Sequence, residues 1–279
     1  MVIDFRLRPP VGNYLEARMY DVERTVAFNR RLGFDAAPSV RELSLELTFR
    51  EMDQAGVELG VVVGRAGSAI GSVTNDELAE LVRAHPARFV AIAGLDVHNV
   101  PAAVAEVERA ANSDEFRGVT LEPGWSDEPH DFDHERLYPI YERARELGLP
   151  VVFLGGGNAG PDITYSSPVP IDRVAQDFPQ LTMVLAHGGF PWITEVLGTA
   201  FRRPNVYLSP DMYMFNSLAT QAYVDAINTF LADRFIFASS YPFVPIEDAY
   251  ERFTRLPIQR DALPLLVREN ARRILGMSG

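Results

Sequence analysis

The chain has no cysteine, which excludes disulfide scaffolds, thiolate metal sites and a cysteine nucleophile together. Any chemistry must come from histidine, carboxylates, arginine, serine or tyrosine. No apolar run approaches the roughly 20 residues that a membrane helix requires. The opening residues, MVIDFRLRPP, lack a basic stretch followed by an apolar one, so we expect a cytoplasmic protein without membrane contact. No Lys/Arg-rich run offsets the formal charge of −12, which repels nucleic acid and anionic lipid at long range. Internal repeats, low-complexity linkers and charge blocks are missing too, so nothing divides residues 1–279, and a single domain is expected.

What is present fits a compact α/β protein. Hydrophobic residues make up 47% of the chain and charged residues 23%, and 20 Gly with 20 Pro supply many short turns. Eight short, β-branched apolar runs suggest parallel strands buried on both faces: 2–8, 59–65, 89–96, 118–122, 150–154, 181–187, 205–209 and 235–240. Between them, helical periodicity marks 43–55, 75–84, 102–111, 134–147, 171–177 and 218–231. This alternation predicts a (β/α)8 TIM barrel. A doubly wound sheet would carry a glycine-rich phosphate turn after its first strand, where this chain has Pro9-Pro10-Val11-Gly12. Residues 9–40 exceed what one connection needs and contain Tyr14, Tyr20, Phe28 and Phe34 with several arginines; we expect an ordered lid over the barrel mouth, the alternative being a peripheral or oligomer-contact segment.

In such a barrel the site lies at the carboxyl ends of the strands. That rule selects Arg6, Arg8, Arg65, Asp96, Glu122, His187, Ser209, Asp211, Ser239, Ser240 and Tyr241, with His98 just beyond strand 3. Strand alternation puts Asp4, Arg6 and Arg8 on one face and Ile3, Phe5 and Leu7 on the other. The apolar set is expected against the helices and the charged set inside. The Gly155-Gly156-Gly157-Asn158 turn could offer backbone amides to an anion, whereas His98, His130 and His134 read as exposed or capping residues.

The segments Ile3-Asp4-Phe5-Arg6-Leu7-Arg8, MDQAGVELGVVV, ERLYPIYERARELGLPVVFL, LAHGGFPW, NVYLS, ASSYPF and ENARRIL, taken in order, resemble the amidohydrolase-related proteins over nearly the whole chain. That resemblance implies a distorted (β/α)8 barrel and metal-dependent hydrolase or decarboxylase chemistry. The family carries Ile-Asp-x-His-x-His on strand 1, a histidine ending strand 5, His-x-Gly-Gly ending strand 6 and Gly-Ser-Asp-x-Pro on strand 8. Here Arg6 and Arg8 replace the two strand 1 histidines, Leu154 replaces that of strand 5 and Ser240 replaces the strand 8 aspartate; His187 is kept. A guanidinium has no lone pair to give a divalent ion, so no metal and no other cofactor is expected at the family's position.

Two inward guanidiniums need anions. Asp4, Glu122 and Asp211 could supply them as a purely structural network, or a small anionic organic substrate could. On the second reading Arg6, Arg8, Arg65, Ser240 and Tyr241 bind substrate, and His187 is the general base with Glu122 and Asp211 beside it. The expected function is metal-independent hydrolysis of a small carboxylate-bearing ester or lactone. A non-catalytic anion-binding pseudoenzyme, and a metal-dependent decarboxylase or hydratase with unusual ligands, are the competing readings. Monomer and homo-oligomer are both left open.

Overall fold

A computed structural model describes residues 2–67, 71–156 and 159–277. Seven parallel strands form one sheet in sequential order: β1 (Val2–Leu7), β2 (Val57–Val63), β3 (Phe89–Gly94), β4 (Phe116–Leu121), β5 (Val151–Leu154), β6 (Met183–Ala186) and β7 (Val206–Ser209). The expected eighth strand is not a strand among the described residues. Phe235 instead makes a single bridge to Leu208 of β7, while the amide of Phe5 in β1 donates to the carbonyl of Phe237 at 3.1 Å. Residues 235–237 thus lie between the two edges of the sheet, and a curled, TIM-barrel-like sheet results without a full eighth ladder.

The helices are α1 (Val22–Arg31), α2 (Pro38–Glu42), α3 (Leu45–Gln54), α4 (Asn75–Ala84), α5 (Val100–Ala111), α6 (Tyr138–Glu146), α7 (Pro168–Asp177), α8 (Ile193–Arg202), α9 (Thr220–Ala226), α10 (Ile246–Arg255) and α11 (Asn270–Ile274). Their starts are written locally. Asp21, Ser44, Thr74 and Asn99 each accept a hydrogen bond from a backbone N–H in the first turn of α1, α3, α4 and α5, satisfying donors that the helix itself leaves open. Among the described residues no helix is long and apolar enough to cross a membrane.

Two apolar clusters fill the molecule. The outer one packs strand residues such as Leu7, Val62, Ala91, Val119 and Phe153 against the helices. The inner one gathers alternate residues from around the sheet: Ile3 and Phe5, Val61 and Val63, Val90 and Ile92, Val152 and Leu154, Val184 and Ala186. Strand alternation alone therefore misplaces β1. Ile3 and Phe5 face the interior, Leu7 faces the helices, and Arg6 and Arg8 still reach the mouth. The pairing of β1 with β2 shifts register between Asp4 and Leu7. An irregularity of this kind resets which face the following side chains occupy.

The surplus segment after β1 is tied down by buried polar bonds. The Tyr14 hydroxyl donates to the carbonyl of Val63 at 2.7 Å and Tyr20 to that of Arg8 at 2.5 Å. Asn29 of α1 donates to the carbonyls of Pro242 and Phe243 at 3.1 and 2.5 Å.

Candidate active site

A cavity of about 440 Å³ opens at the carboxyl ends of the strands. Its lining contains Arg6, Arg8, Arg18, Arg24, Arg31 and Arg65, with Glu122 as its single carboxylate. The chain has no lysine, so every one of its 26 Lys/Arg positions is arginine. Apolar walls come from Met19, Phe28, Trp125, Leu154, Met212, Tyr213 and Phe243. An acidic protein has therefore collected cations around one hole.

Four of the positions at the strand ends follow the inner register. Arg65 and Glu122 continue the inward alternation of Val61 and Val63 in β2 and of Thr120 in β4. Gly156 continues that of Leu154, and Asp211 follows Ser209. His187 does not. It comes one residue after the inward Ala186, and its backbone takes a left-handed φ of +62°, a conformation that costs energy for a non-glycine residue. That turn swings the imidazole back over the cavity, where Gly156 leaves room for it: a Cβ on Gly156 would stand 2.8 Å from His187 Cδ2.

At the centre, Arg6, His187 and Asp211 form a closed triangle. Arg6 Nη1 lies 2.9 Å from His187 Nε2 and 2.9 Å from Asp211 Oδ2, and His187 Nδ1 lies 3.0 Å from Asp211 Oδ1. Arginine can only donate, so Nε2 accepts and Nδ1 carries the proton that goes to Asp211. The imidazole is thereby held as one neutral tautomer. Burial, and then the Arg6 charge, push the His187 pKa down. Burial alone would raise Asp211, yet the contacts to His187 and Arg6 hold it below the usual carboxylate range. Asp211 also accepts the amide of Met212 at 2.6 Å, and its left-handed φ of +47° aims the carboxylate at the triangle.

The other two inner arginines differ in what neutralises them. Arg65 is ion-paired with Glu122: Nη2 donates to Oε1 at 3.0 Å, and Nε stands 2.8 Å from Oε2. Among the described residues no carboxylate hydrogen-bonds or ion-pairs with Arg8, although the Asp211 charge lies near enough to favour its cationic form. Its Nε donates to the carbonyl of Tyr241 at 3.0 Å, and its Nη2 donates to the carbonyl of Ser240 at 2.6 Å and to Ser240 Oγ at 3.1 Å. The guanidinium lies 5.1 Å from the centre of the Phe243 ring. Burial pushes its pKa down to about 9, which leaves it cationic at neutral pH. The structural-network expectation thus accounts for Arg6 and Arg65 and leaves Arg8 over.

Several expected residues take other places. Ser240 and Tyr241 do not line the cavity. Their backbone carbonyls hold Arg8, and the Tyr241 hydroxyl turns away to Ser39 Oγ at 2.6 Å. Asp4 sits behind the site, its Oδ1 accepting the amides of Arg6 and Ser239 at 3.1 and 2.9 Å, with burial raising its pKa to about 6. Ser209 packs in the barrel interior. His98, His130 and His134 gather edge to face away from the cavity. In the glycine turn, Gly157 and Asn158 lie outside the described residues. Arg18, Arg24 and Arg31 were not singled out, although the density of arginines in residues 18–31 was a legible signal.

The donor set does not fit the divalent ion that the family implies. Where His187 Nε2 and Asp211 Oδ2 converge, the space is taken by Arg6 Nη1 at 2.9 Å from both, and a second guanidinium, Arg8, lies on the same cavity. Among the described residues no three His, Asp or Glu side chains are grouped to hold a metal.

A family model described as amidohydrolase matches residues 27–277. Among curated proteins, the gamma-resorcylate decarboxylase of a Rhizobium species is 25% identical over 258 residues, covering 77% of this chain and 78% of the relative. A solved structure described as an uncharacterized TIM-barrel protein, Bb4693 from Bordetella bronchiseptica, is 45% identical with a TM-score of 0.95 over 99% of this chain and 98% of its own. The 2,6-dihydroxybenzoate decarboxylase from Rhizobium shares the fold, with a TM-score of 0.73, 20% identity, and coverage of 100% and 99%. The three curated relatives that match are all gamma-resorcylate decarboxylases, which favours the decarboxylase alternative over ester or lactone hydrolysis. A dihydroxybenzoate decarboxylase from Polaromonas is described with bound manganese.

Proposed function

Because the chain belongs to the amidohydrolase family, we propose that it is an enzyme of small organic carboxylates that removes a carboxyl group as carbon dioxide. The observation that carries the substrate class is Arg8, a buried cation facing the cavity with only neutral acceptors behind it. A buried charge without a counter-ion is costly, and an anionic ligand supplies one. The decarboxylase relatives favour the reaction class.

Decarboxylation drains charge from the departing carboxylate onto the carbon it leaves. Cations bound to that carboxylate would hold back the reaction, because they stabilise the ground state more than the transition state. The leaving carboxylate therefore belongs against the apolar wall of Leu154 and Met212. Arg6 and Arg8 then hold the substrate's other anionic oxygens, where charge develops. His187, neutral in the free protein, gains a proton on Nε2 when the anionic substrate draws Arg6 Nη1 away from that nitrogen, since a nearby anion favours the imidazolium. The bond to the carboxyl carbon breaks with its electron pair left on the substrate carbon. That carbon takes the proton from His187, carbon dioxide leaves neutral, and solvent restores one proton per turnover. No divalent ion enters this scheme, for the donor set does not suit one.

Hydrolysis of a carboxylate-bearing ester or lactone is the second reading, and one observation favours it: His187 is a neutral ring with a lowered pKa, a general base for water once Arg6 Nη1 turns from Nε2 to the substrate. Carbon dioxide release from a panel of aromatic and unsaturated carboxylic acids, set against acid release from carboxylate-bearing lactones, separates the two. We expect the first assay to respond and Arg8→Gln and His187→Ala each to suppress it. Turnover undiminished in His187→Ala would remove the assigned proton carrier. Binding of the acids with no turnover in either assay would leave an anion-binding protein without catalysis.

A further inference from the structure

The inner site neutralises most of its own charge: Asp211 faces Arg6, Glu122 faces Arg65, and a single substrate carboxylate or phenolate would satisfy Arg8. Three lining arginines are then left over. Arg18, Arg24 and Arg31 have no ion-pair or hydrogen-bond partner for their guanidiniums among the described residues. Many other surface arginines are matched with carboxylates, as in Arg83 with Glu115, Arg88 with Asp53, and Arg173 with Asp133, and Arg30 and Arg260, which are not, lie off the cavity. The acids of the same segment, Glu16, Asp21 and Glu23, do not line the cavity.

The arrangement is built rather than incidental. Arg24, Phe28 and Arg31 are spaced i, i+4 and i+7 on α1 and so share one face, and all three line the cavity. That face is fixed by the buried Asn29 amide on the Pro242 and Phe243 carbonyls. Phe28 packs edge-on against Phe243 with ring centres 5.2 Å apart, and Phe243 is the ring against which Arg8 lies. Buried Arg8 thus ends an inner tier, and the three exposed arginines Arg18, Arg24 and Arg31 form an outer one on the same cavity.

We infer that the outer tier is a second anion subsite, and that the substrate carries a multiply charged group, a phosphate-type or dicarboxylate end, opposite the carboxylate or phenolate held at Arg8. This rests on the reading of Arg8 as the holder of an anionic oxygen of the substrate. Three unpaired cations on one rim of a protein with net charge −12 suit at least two negative charges at that end. A singly charged acid would leave most of the rim unused.

Calorimetric titration of the full chain with benzoate, 4-phosphonobenzoate and trimesate tests it. At low salt we expect the two multiply charged acids to bind about tenfold or more tighter than benzoate, as several exposed charge contacts would give, with the gap closing as salt is raised. The triple variant Arg18→Gln/Arg24→Gln/Arg31→Gln should bring both acids to the benzoate level while leaving benzoate itself unchanged. Arg30→Gln, an exposed charge of the same helix that does not line the cavity, should change none of them. Whichever of the phosphonate and trimesate loses more in the triple variant identifies the end group. The inference is overturned if the triple variant keeps the gap, if it weakens benzoate by the same factor, or if Arg30→Gln weakens the two acids as much. Benzoate binding that ignores Arg8→Gln would instead overturn the inner-site reading, whatever the rim does.

Discussion

Asp211→Asn is the most informative single change at this site. The carboxylate receives four donors: His187 Nδ1 and the Met212 amide on Oδ1, and Arg6 Nη1 and the His187 amide on Oδ2. Asparagine keeps the shape and tolerates the left-handed φ of +47° at this position, so backbone strain is not added. Its oxygen can still serve His187 and Met212. Its amide nitrogen, however, then faces two donors, and Arg6 loses the one ion-pair partner it has among the described residues. At the 2.9 Å separation and an effective dielectric constant of about 20, the gross attraction lost is about 6 kcal/mol. Breaking one side of a buried pair costs about 3–5 kcal/mol in practice, against a total stability of about 5–15 kcal/mol for a folded domain. Urea unfolding followed by the fluorescence of Trp125 and Trp192, at a pH above 7, reads this directly. Arg6→Met combined with Asp211→Asn should recover about 2 kcal/mol or more of coupling, because it removes the stranded cation as well. A single variant within about 1 kcal/mol of the parent, or a double-mutant cycle without coupling, would refute the claim that Asp211 is what permits Arg6 to be buried.

Three further outcomes follow from the same geometry. Glu122 is the single carboxylate lining the cavity and it occupies Arg65, so Glu122→Gln should tighten benzoate binding severalfold by calorimetry; weaker binding would mean that Glu122 supports the ligand. Gly156→Ala places a methyl group 2.8 Å from the His187 ring, and turnover should fall at least about tenfold, the usual scale for a displaced acid–base group, with little change in the unfolding midpoint; full activity would show that the imidazole need not stay on Asp211. The pKa of Asp4 is raised to about 6 from 3.8, so between those values the folded chain binds more protons than the unfolded one. Its contribution to stability is therefore present at low pH and lost as pH rises through 6, a change of about 1.4 kcal/mol between pH 8 and pH 5. Asp4→Asn should remove that component, gaining on the parent as pH rises, and parallel curves would refute it. His187 and Asp211, both lowered, act in the opposite direction and lose stability as pH falls.

The positions of the strands were legible because buried parallel strands must be short, apolar and β-branched, and seven of the eight runs are strands in the fold. The runs at 2–8 and 181–187 also ended on the residues that matter, since the barrel architecture puts chemistry at strand ends. Which way those residues point was another matter. The register shift in β1 and the left-handed backbone at His187 are decided by packing around the whole barrel. No alternation rule applied along one strand contains them.

What the sequence by itself determined is the list of groups: two arginines where metal-binding histidines would stand, one histidine kept, no cysteine and no lysine. Tertiary structure alone decided how they are matched. Arg6 is joined to Asp211 across 205 positions, and Arg8 to Ser240 across 232. Arg8 is left without a carboxylate, and the arginines of α1 are brought to the rim of the same cavity. The physical reason is that a charge is read from the residue, whereas its compensation depends on distance and burial, which only the closed sheet supplies.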